Sequence, residues 1–411
     1  MADHDLAVVG AGIVGMSAAL WAQSRGLRVL LCDRAAPGSG ASFGNAGTIA
    51  TYACLPVNSP SILRDLPRLL TSAESPLSLD PRHALAHPRW MLSFLANCRP
   101  ARVAAIAAAL SRLLAEADAG LDPLIALAGA EDLVVANDCL YVWTTRAGFD
   151  GAQAGTDLRR RLGVACDEIG PEEIRALEPA LRLTPHRGLR FRGARHITDP
   201  QALIGRMHSR FLAEGGTWLQ AAVTATRPDG DGVTLIADGQ EVRAARAVIA
   251  AGAWSRAIRG SGAEHLPLDT ERGYHLVWDA HRDLIARPVG WAEAGFYATP
   301  MAQGLRLAGT VEIAGLDRPA NRKRLAYIAR KGAEMFGDLG PPSSDWLGFR
   351  PSFPDALPVI GPSPASDRIL LAFGHQHLGL TLGGITGRIV ADLAEGRPPD
   401  PPIADFAPSR F

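Results

Sequence analysis

Three glycines near the start of the chain have the spacing of a site that binds a dinucleotide. Gly10, Gly12 and Gly15 form a G-x-G-x-x-G pattern directly after the apolar run at residues 6–9, and a helical pattern follows. In such a unit the first glycine allows a tight turn, the second lets backbone approach a pyrophosphate, and the third lets helix and strand pack closely. The N–H groups and partial positive charge at the helix start favour the pyrophosphate.

An acidic residue stands where the same unit needs a partner for a ribose. Asp33 ends the second predicted strand, residues 27–32, and its carboxylate is placed to accept hydrogen bonds from two ribose hydroxyl groups. A glycine-rich turn in an unrelated α/β protein would not explain the whole order of strand, glycines, helix, strand and acid. The unit predicts a dinucleotide, but it does not say which one.

Two further small-residue stretches are placed to contact the same ligand. Residues 37–47 are too rich in glycine for a helix and are predicted to fold over the cofactor, with the side chains of Ser42 and Asn45 available. Residues 247–255 form a buried strand that runs into a turn, and such turns lie at the carboxyl ends of strands, where ligands of α/β sheets bind.

A second strand–glycine–helix unit lies more than 300 residues after the first, at residues 368–393. A compact NAD-binding domain would complete its sheet within ~150 residues. The intervening residues 274–278, 295–299 and 305–311 alternate between apolar and polar, which predicts an antiparallel sheet. The predicted fold is therefore α/β combined with α+β: a discontinuous Rossmann-like domain with an inserted, mainly antiparallel β-sheet substrate domain.

Composition excludes several classes of protein. Lys+Arg and Asp+Glu both number 42 in a chain of 411 residues, which gives no support to a nucleic-acid surface or a polybasic membrane anchor. The apolar residues 6–22 follow an acidic leader, so we interpret them as part of the fold and not as an export signal. Five unclustered cysteines suit reduced thiols, and we expect a cytoplasmic protein without a membrane span.

Motifs along nearly the whole chain resemble those of one flavoprotein family. The chain is similar to the D-amino-acid dehydrogenase group of the FAD-dependent, DAO-like oxidoreductases. The stretches that carry this resemblance are residues 9–15, 42–47, 250–255, 309–312, 348–351, 357–361 and 374–381. The nucleotide motif alone is generic, whereas Ser-Phe-Gly-Asn-Ala-Gly and Gly-Phe-Arg-Pro with their downstream partners are much more specific.

The resemblance implies FAD as cofactor and a division of the chain into two domains. Residues 1–55, 197–262 and 348–411 would form the FAD-binding domain, and residues 56–196 and 263–347 the substrate domain. The N-terminus of the helix after the last strand would face the flavin pyrimidine, where its positive end stabilises negative charge. The residues predicted to bind FAD are Gly10, Gly12, Ile13, Val14, Gly15, Asp33, Arg34, Ala41, Ser42, Asn45, Ala46, Gly47, Val223, Ala251, Gly252, Trp254, Gly374, His377, Leu378, Gly379, Leu380 and Thr381.

The chemistry that the resemblance implies is oxidation of a carbon–amine bond, with hydride passing from the substrate Cα to the flavin. Arg350 is the candidate for the substrate carboxylate, because an arginine offers a planar fork of donors. Its alternative role is a structural ion pair, for which Asp355 is the candidate partner. Tyr297 and Tyr274 lie on the predicted sheet over the flavin, and each hydroxyl either bonds to the carboxylate or is satisfied within the core.

The two histidines of His375-Gln376-His377 are predicted to shape the flavin pocket. A neutral amine donates hydride directly, so no general base is required and neither histidine is assigned that role. A metal site is not expected, since no third ligand has a useful spacing. All five cysteines lie at or before position 166, whereas some relatives attach flavin through a cysteine in the C-terminal half, so FAD is expected to bind noncovalently.

Several alternatives remain open from sequence. The substrate is a D-amino acid or a cyclic imino acid such as D-hydroxyproline. The same architecture allows a 2-hydroxy-acid dehydrogenase, in which His375 or His377 would act as base, or a flavin-binding subunit of a multi-subunit amine dehydrogenase. An NAD-dependent dehydrogenase would be colourless when purified. The electron acceptor is a quinone, another redox protein or O2, and a quinone would bring the protein to the membrane surface as a peripheral protein.

Overall fold

The computed structural model describes residues 4–60, 62 and 75–411. Its strands are β1 (His4–Val9), β2 (Val29–Asp33), β3 (Thr48–Ile49), β4 (Leu77–Leu79), β5 (Val134–Ala136), β6 (Cys139–Trp143), β7 (Asp167–Ile169), β8 (Arg187–Phe191), β9 (Arg195–Ile197), β10 (Thr217–Gln220), β11 (Val223–Asp229), β12 (Gly232–Ala237), β13 (Gln240–Ile249), β14 (Asp269–Trp278), β15 (Val289–Trp291), β16 (Phe296–Met301), β17 (Gly304–Ile313), β18 (Ser344–Ser352), β19 (Val359–Ser363) and β20 (Ser366–Phe373). Its α-helices are α1 (Ile13–Ser24), α2 (Pro81–Ala86), α3 (Pro88–Asn97), α4 (Pro100–Ala115), α5 (Ala117–Leu127), α6 (Arg146–Arg161), α7 (Pro171–Leu177), α8 (Pro200–Ala213), α9 (Arg322–Phe336) and α10 (Gly379–Ala394).

The first sheet joins the two ends of the chain. Its parallel strands lie in the order β10-β2-β1-β13-β20, and β11, β12 and β19 add antiparallel pairs. Val248 of β13 pairs with Val8 on one side and Leu370 on the other, and all three are buried. Parallel strands are covered on both faces, which explains why these segments are continuous apolar runs in the sequence.

The second sheet holds nine strands, with β18-β14-β17-β16-β15-β6-β8-β7 in order and β4 beside β17. Its pairs are mainly antiparallel, and its outer face is covered by α9, whose Tyr327 and Ile328 pack among the sheet's apolar residues. A third, small sheet consists of β3, β9 and β5. These sheets confirm the predicted fold class.

Glycines let three helices of different chain regions pack at short range beneath the first sheet. A Cβ on Gly384 of α10 would lie 2.5 Å from the carbonyl carbon of Gly120 in α5, and a Cβ on Gly387 would lie 2.6 Å from that of Ser17 in α1. A larger residue at either position would force the helices apart. This packing fixes the N-termini of α1 and α10 relative to each other.

The structure departs from the sequence-based description at two places. The predicted domain boundary at residue 348 falls inside β18, which belongs wholly to the second sheet. Helix α5, assigned to the substrate domain, packs with α1 and α10. Among the described residues no helix is both long and apolar enough to cross a membrane.

Candidate active site

One cavity of about 820 Å³ lies between the first and second sheets, within the usual range for ligand sites. Its walls come from the β1–α1 turn, the loop after β2, the turn after β13, strands β14 and β16–β18, and the loop before α10. The two glycine-containing units, near the beginning and near the end of the chain, therefore line the same cavity.

One end of the cavity is built from backbone. Gly10 and Gly12 line it with the first residues of α1. Gly10 has φ +110°, and a Cβ there would lie 2.3 Å from the carbonyl oxygen of Ala250. Gly15 faces away from the cavity, and its missing Cβ leaves room for the Gly10 carbonyl oxygen, 1.8 Å from where that Cβ would be. This is the arrangement expected of a pyrophosphate cradle.

Side chains around that cradle brace it. The Asp33 carboxylate accepts hydrogen bonds from the N–H groups of Ala11 at 2.7 Å and Ala35 at 3.0 Å. The Ser42 hydroxyl accepts one from the N–H of Ile13 at 3.0 Å, at the start of α1. The Asn45 side chain donates to the Ser42 carbonyl and accepts from the Gly47 N–H, each at 2.7 Å, so it shapes its own loop.

Most residues predicted to bind the cofactor lie on the cavity wall. Those on the wall are Gly10, Gly12, Ile13, Val14, Asp33, Arg34, Ala41, Ser42, Asn45, Ala46, Gly47, Val223, Ala251, Gly252, Trp254, His377, Gly379 and Leu380. The guanidinium of Arg34 stacks over the Trp254 ring at 4.1 Å and closes this end. Four predicted residues lie behind the wall: Gly15, Gly374, Leu378 and Thr381. Leu378 packs in the core, and the Thr381 hydroxyl accepts a hydrogen bond from the Ala50 N–H at 2.9 Å.

The N-terminus of α10 reaches the cavity at Gly379 and Leu380. Its first turn carries no acidic residue, and no side chain caps it. The free N–H groups of a helix start favour negative charge. Two helix N-termini therefore border one cavity, which fits a ligand with a pyrophosphate near one and an anionic ring near the other.

Arg350 occupies the opposite part of the cavity, on β18. Its Nη1 donates a hydrogen bond to the Thr310 carbonyl at 2.9 Å. Gly273 makes room for the guanidinium, because a Cβ at that position would lie only 2.3 Å from Nη2. Asp355, the partner suggested from sequence, instead pairs with Arg410 at 2.7 Å. Burial lowers the pKa of Arg350, and Glu271 opposes that shift.

The carbonyl that holds Arg350 belongs to a strained residue. Thr310 has φ +56°, which is rare for a β-branched residue, and it lies where the β14–β17 pairing shifts register. Such backbone outliers concentrate at functional sites and cost about 1–3 kcal/mol each. The bulge thus turns the Thr310 carbonyl towards the Arg350 side chain.

Glu271 is a site residue that sequence reasoning missed. It pairs in register with Arg350 on the neighbouring strand, lies on the cavity wall and is only 2% exposed. Its Oε2 is buried without a hydrogen-bond partner among the described residues. Burial raises the pKa of Glu271, and the charge of Arg350 opposes this. Glu271 stands in the sequence among other charged residues, Asp269 and Arg272, so nothing in the local pattern distinguishes it.

The two candidate tyrosines differ in position. Tyr297 lies on the cavity wall, stacks on Tyr141 with ring centroids 5.8 Å apart, and has a pKa that burial raises well above its ordinary value. The Tyr274 hydroxyl instead donates to the Glu312 carboxylate and accepts from the Asn321 N–H. Tyr274 also lines the cavity wall, but these two partners hold its hydroxyl beneath α9, so the hydroxyl is not available to a ligand.

Both histidines of the loop before α10 lie on the cavity wall. Burial lowers the pKa of His375 to about 3 and that of His377 to about 4, where the charge of Arg350 adds to the effect. His375 Nε2 is 2.9 Å from the Thr386 hydroxyl. The His377 side chain is accessible from the cavity that it lines. Both rings are therefore neutral near neutral pH.

Outside this cavity, one set of described side chains has the spacing of metal ligands: His83, His87 and Asp269. His83 Nε2 is already paired with Asp269 at 2.8 Å, and His87 Nδ1 with the His83 carbonyl at 3.0 Å. The described wall of the cavity includes none of the five cysteines. None of the wall residues that the structure describes could therefore supply a sulfur for a covalent bond to a ligand in the cavity.

Comparisons with known proteins agree with this geometry. The family model of the FAD dependent oxidoreductases (DAO) matches residues 5–393. A protein of Bradyrhizobium diazoefficiens named D-amino-acid oxidase is 35% identical, over 99% of this chain and 98% of that protein. A protein of Cereibacter sphaeroides named D-amino acid dehydrogenase is 30% identical, over 99% and 95%. The crystal structure of glycine oxidase from Geobacillus kaustophilus has the same fold, with a TM-score of 0.79, 22% identity and 99% coverage of both chains.

Proposed function

The chain belongs to the FAD dependent oxidoreductase (DAO) family, and on that basis we propose that it oxidises the Cα–N bond of a free D-amino acid. The observation that carries this proposal is the pairing of Arg350 with Glu271 on adjacent strands at one cavity wall. A free amino acid is a zwitterion, and this pair offers one group for each of its charges.

Arg350 would bind the substrate carboxylate. Its Nη1 is fixed by the Thr310 carbonyl, and the missing Cβ of Gly273 gives the guanidinium room against β14. A charge-assisted bond between guanidinium and carboxylate is strong in such a buried place, because little water competes. Fixing the carboxylate fixes the direction of the Cα–H bond.

Glu271 would hold the substrate ammonium and accept a proton from it. Its buried Oε2 has no hydrogen-bond partner among the residues that the structure describes, and its raised pKa makes the carboxylate a better base than an exposed one. When bound, FAD supplies the acceptor for the hydride that leaves Cα. Loss of one proton to Glu271 frees the nitrogen lone pair, which forms the C=N bond as the Cα–H bond breaks.

The remaining wall would keep the reacting carbon away from water. Tyr297 and the neutral histidines His375 and His377 supply weakly polar surface without a competing charge. The residues of the cradle and of the α10 N-terminus would hold FAD noncovalently.

The D-configuration and the electron acceptor are proposed from the relatives. The protein named D-amino-acid oxidase is 35% identical to this chain, against 28–30% for five proteins named D-amino acid dehydrogenases. We therefore propose O2 as acceptor. Aerobic turnover would yield one H2O2 per imine formed. A quinone analogue reduced in preference to O2 would contradict this.

The proposed function is tested by mixing the purified holoenzyme anaerobically with single substrates and following the flavin absorbance. The panel holds D- and L-amino acids, D-hydroxyproline and 2-hydroxy acids. We expect bleaching by D-amino acids and slower or no bleaching by the other compounds. Bleaching by hydroxy acids alone would identify a hydroxy-acid dehydrogenase. A yellow protein that no compound bleaches would indicate a non-catalytic flavin subunit.

A further inference from the structure

A third arginine of the same cavity wall, beside Arg34 and Arg350, is Arg159, which opens an Arg-Arg-Arg run in the sequence. It lies near the C-terminal end of α6, whose Gly155, one turn earlier, lets the helix approach the loop after β3: a Cβ there would lie 2.9 Å from Leu55 Cδ1. Leu55 is itself a wall residue. The helix thus presents Arg159 to the cavity.

Arg159 has no anionic partner within the described part of the chain. Its Nε is buried, and no described residue accepts a hydrogen bond from it. The ring of Phe191 lies 6.0 Å from the guanidinium carbon. The next arginine in the run, Arg160, pairs with Glu168 at 3.0 Å, so the helix has acids within reach and Arg159 uses none.

The groups around Arg159 are neutral. Burial raises the pKa values of Cys54, Tyr141 and Tyr297, so all three side chains are neutral. The positive charge of Arg159 lowers the same pKa values by a smaller amount. Glu293, the acid that acts on Tyr141, is already bonded to the N–H groups of Thr144 and Thr145 at about 3 Å. A half-buried cation among aromatic and neutral groups attracts an anion that enters the site.

Arg159 and Arg350 approach the cavity from different sides. Arg350 lies on β18, and Tyr297, beside Arg159, lies on β16, three strands away in the order β18-β14-β17-β16. At the usual strand spacing, the backbones of β18 and β16 are about 14 Å apart. Two arginine side chains that reach inwards leave a gap that a substrate with two anionic groups a few carbons apart can bridge.

We propose that Arg159 forms a subsite for a second anionic group, and that the preferred substrates are amino acids with an acidic side chain. This rests on the proposed function, since Arg350 and Glu271 take the α-carboxylate and the ammonium. The three protein charges then match the three charges of such a substrate: two cations for two carboxylates and one carboxylate for the ammonium.

The test compares pairs of substrates that differ only in side-chain charge. kcat/KM is measured for D-glutamate against D-glutamine and for D-aspartate against D-asparagine, in the wild-type holoenzyme, in Arg159→Met and in Arg159→Lys. Arg161→Met is the matched control, because Arg161 is an exposed residue of the same helix. FAD content and Tm are measured for each variant.

We expect the wild-type enzyme to prefer the acidic member of each pair by about 10-fold or more. Arg159→Met should lower kcat/KM for D-glutamate by about 30-fold, mainly through KM, and change that for D-glutamine by less than about 3-fold. Arg159→Lys should restore part of the preference, and Arg161→Met should change neither substrate.

Equal losses for both members of a pair, or no loss, would overturn the subsite while leaving the proposed function intact, provided that neutral D-amino acids reduce the flavin. If no amino acid, acidic or neutral, reduces the flavin, the proposed function itself fails, and the subsite with it.

Discussion

The two ends of the cavity are built in different ways. The cradle end uses backbone: glycines, free N–H groups and helix N-termini, with side chains such as Ser42 and Asn45 engaged in holding the loops. The end with Arg350 and Glu271 uses side chains on neighbouring strands of the second sheet. The first end recognises groups common to all dinucleotides, and the second end distinguishes one substrate from another.

This difference predicts how each end responds to mutation. A change at the cradle should affect FAD content and leave no active protein to compare. A change at the other end should leave FAD in place and alter which substrate reacts, how fast and at which pH.

The largest effect is expected from Gly12→Asp. Gly12 has φ −72°, and a Cβ there would meet only the Ser42 hydroxyl, at 3.3 Å, so the fold should tolerate the change. The new carboxylate would occupy the pyrophosphate position and repel it, which should weaken FAD binding by about 100-fold or more. The measurement is the ratio of flavin to protein absorbance after purification. Gly205→Asp, at an exposed position of α8, controls for the added charge and should stay yellow.

A smaller but more informative effect is expected from Glu271→Gln. The carboxylate must be ionised to accept a proton, and its pKa is raised, so wild-type kcat/KM should fall as the pH drops through a value above the ordinary pKa of a glutamate. The variant should lose about 10- to 100-fold in kcat/KM and lose this acidic limb of the profile. An unchanged limb would remove Glu271 from the role of proton acceptor.

The tyrosines separate substrate binding from stability. Tyr297→Phe removes a hydroxyl on the cavity wall and should change KM by about 3- to 5-fold with little effect on Tm. Tyr274→Phe removes one of the partners of the buried Glu312, which also contacts Asn321 and Arg272, and should cost about 1–3 kcal/mol of unfolding free energy while KM stays the same. Both variants are measured by thermal unfolding and by steady-state kinetics. A loss of stability in Tyr297→Phe together with a changed KM in Tyr274→Phe would contradict the roles given to the two hydroxyl groups.

The smallest effect is expected from His377→Asn. The ring is neutral and has no assigned proton transfer, so amino-acid turnover should change by less than about 3-fold. A loss of two orders of magnitude, together with turnover of a 2-hydroxy acid by the wild type, would make His377 a general base and favour the hydroxy-acid alternative.

The contrast between the two ends also explains what the sequence reveals. Gly10, Gly12 and Gly15 could be interpreted from sequence because backbone contact leaves a fixed spacing of small residues within one short segment. The neighbourhood of Arg350 and Glu271 depends on strand register across a gap of nearly 80 positions, which local patterns do not encode. Tyr274 does line the cavity, as its strand predicted, but its hydroxyl is held by Glu312 and Asn321, distant contacts that local patterns do not encode.

The central claim is that Arg350 selects the substrate by its carboxylate. It is tested most directly by the rate of anaerobic flavin reduction by a D-amino acid and by the amine that lacks its carboxylate, in wild type and in Arg350→Ala. We predict that the wild type reacts at least about 100-fold faster with the amino acid at limiting concentration, and that Arg350→Ala, with FAD still bound, loses most of this preference. An Arg350→Ala enzyme that keeps the wild-type preference would contradict the claim.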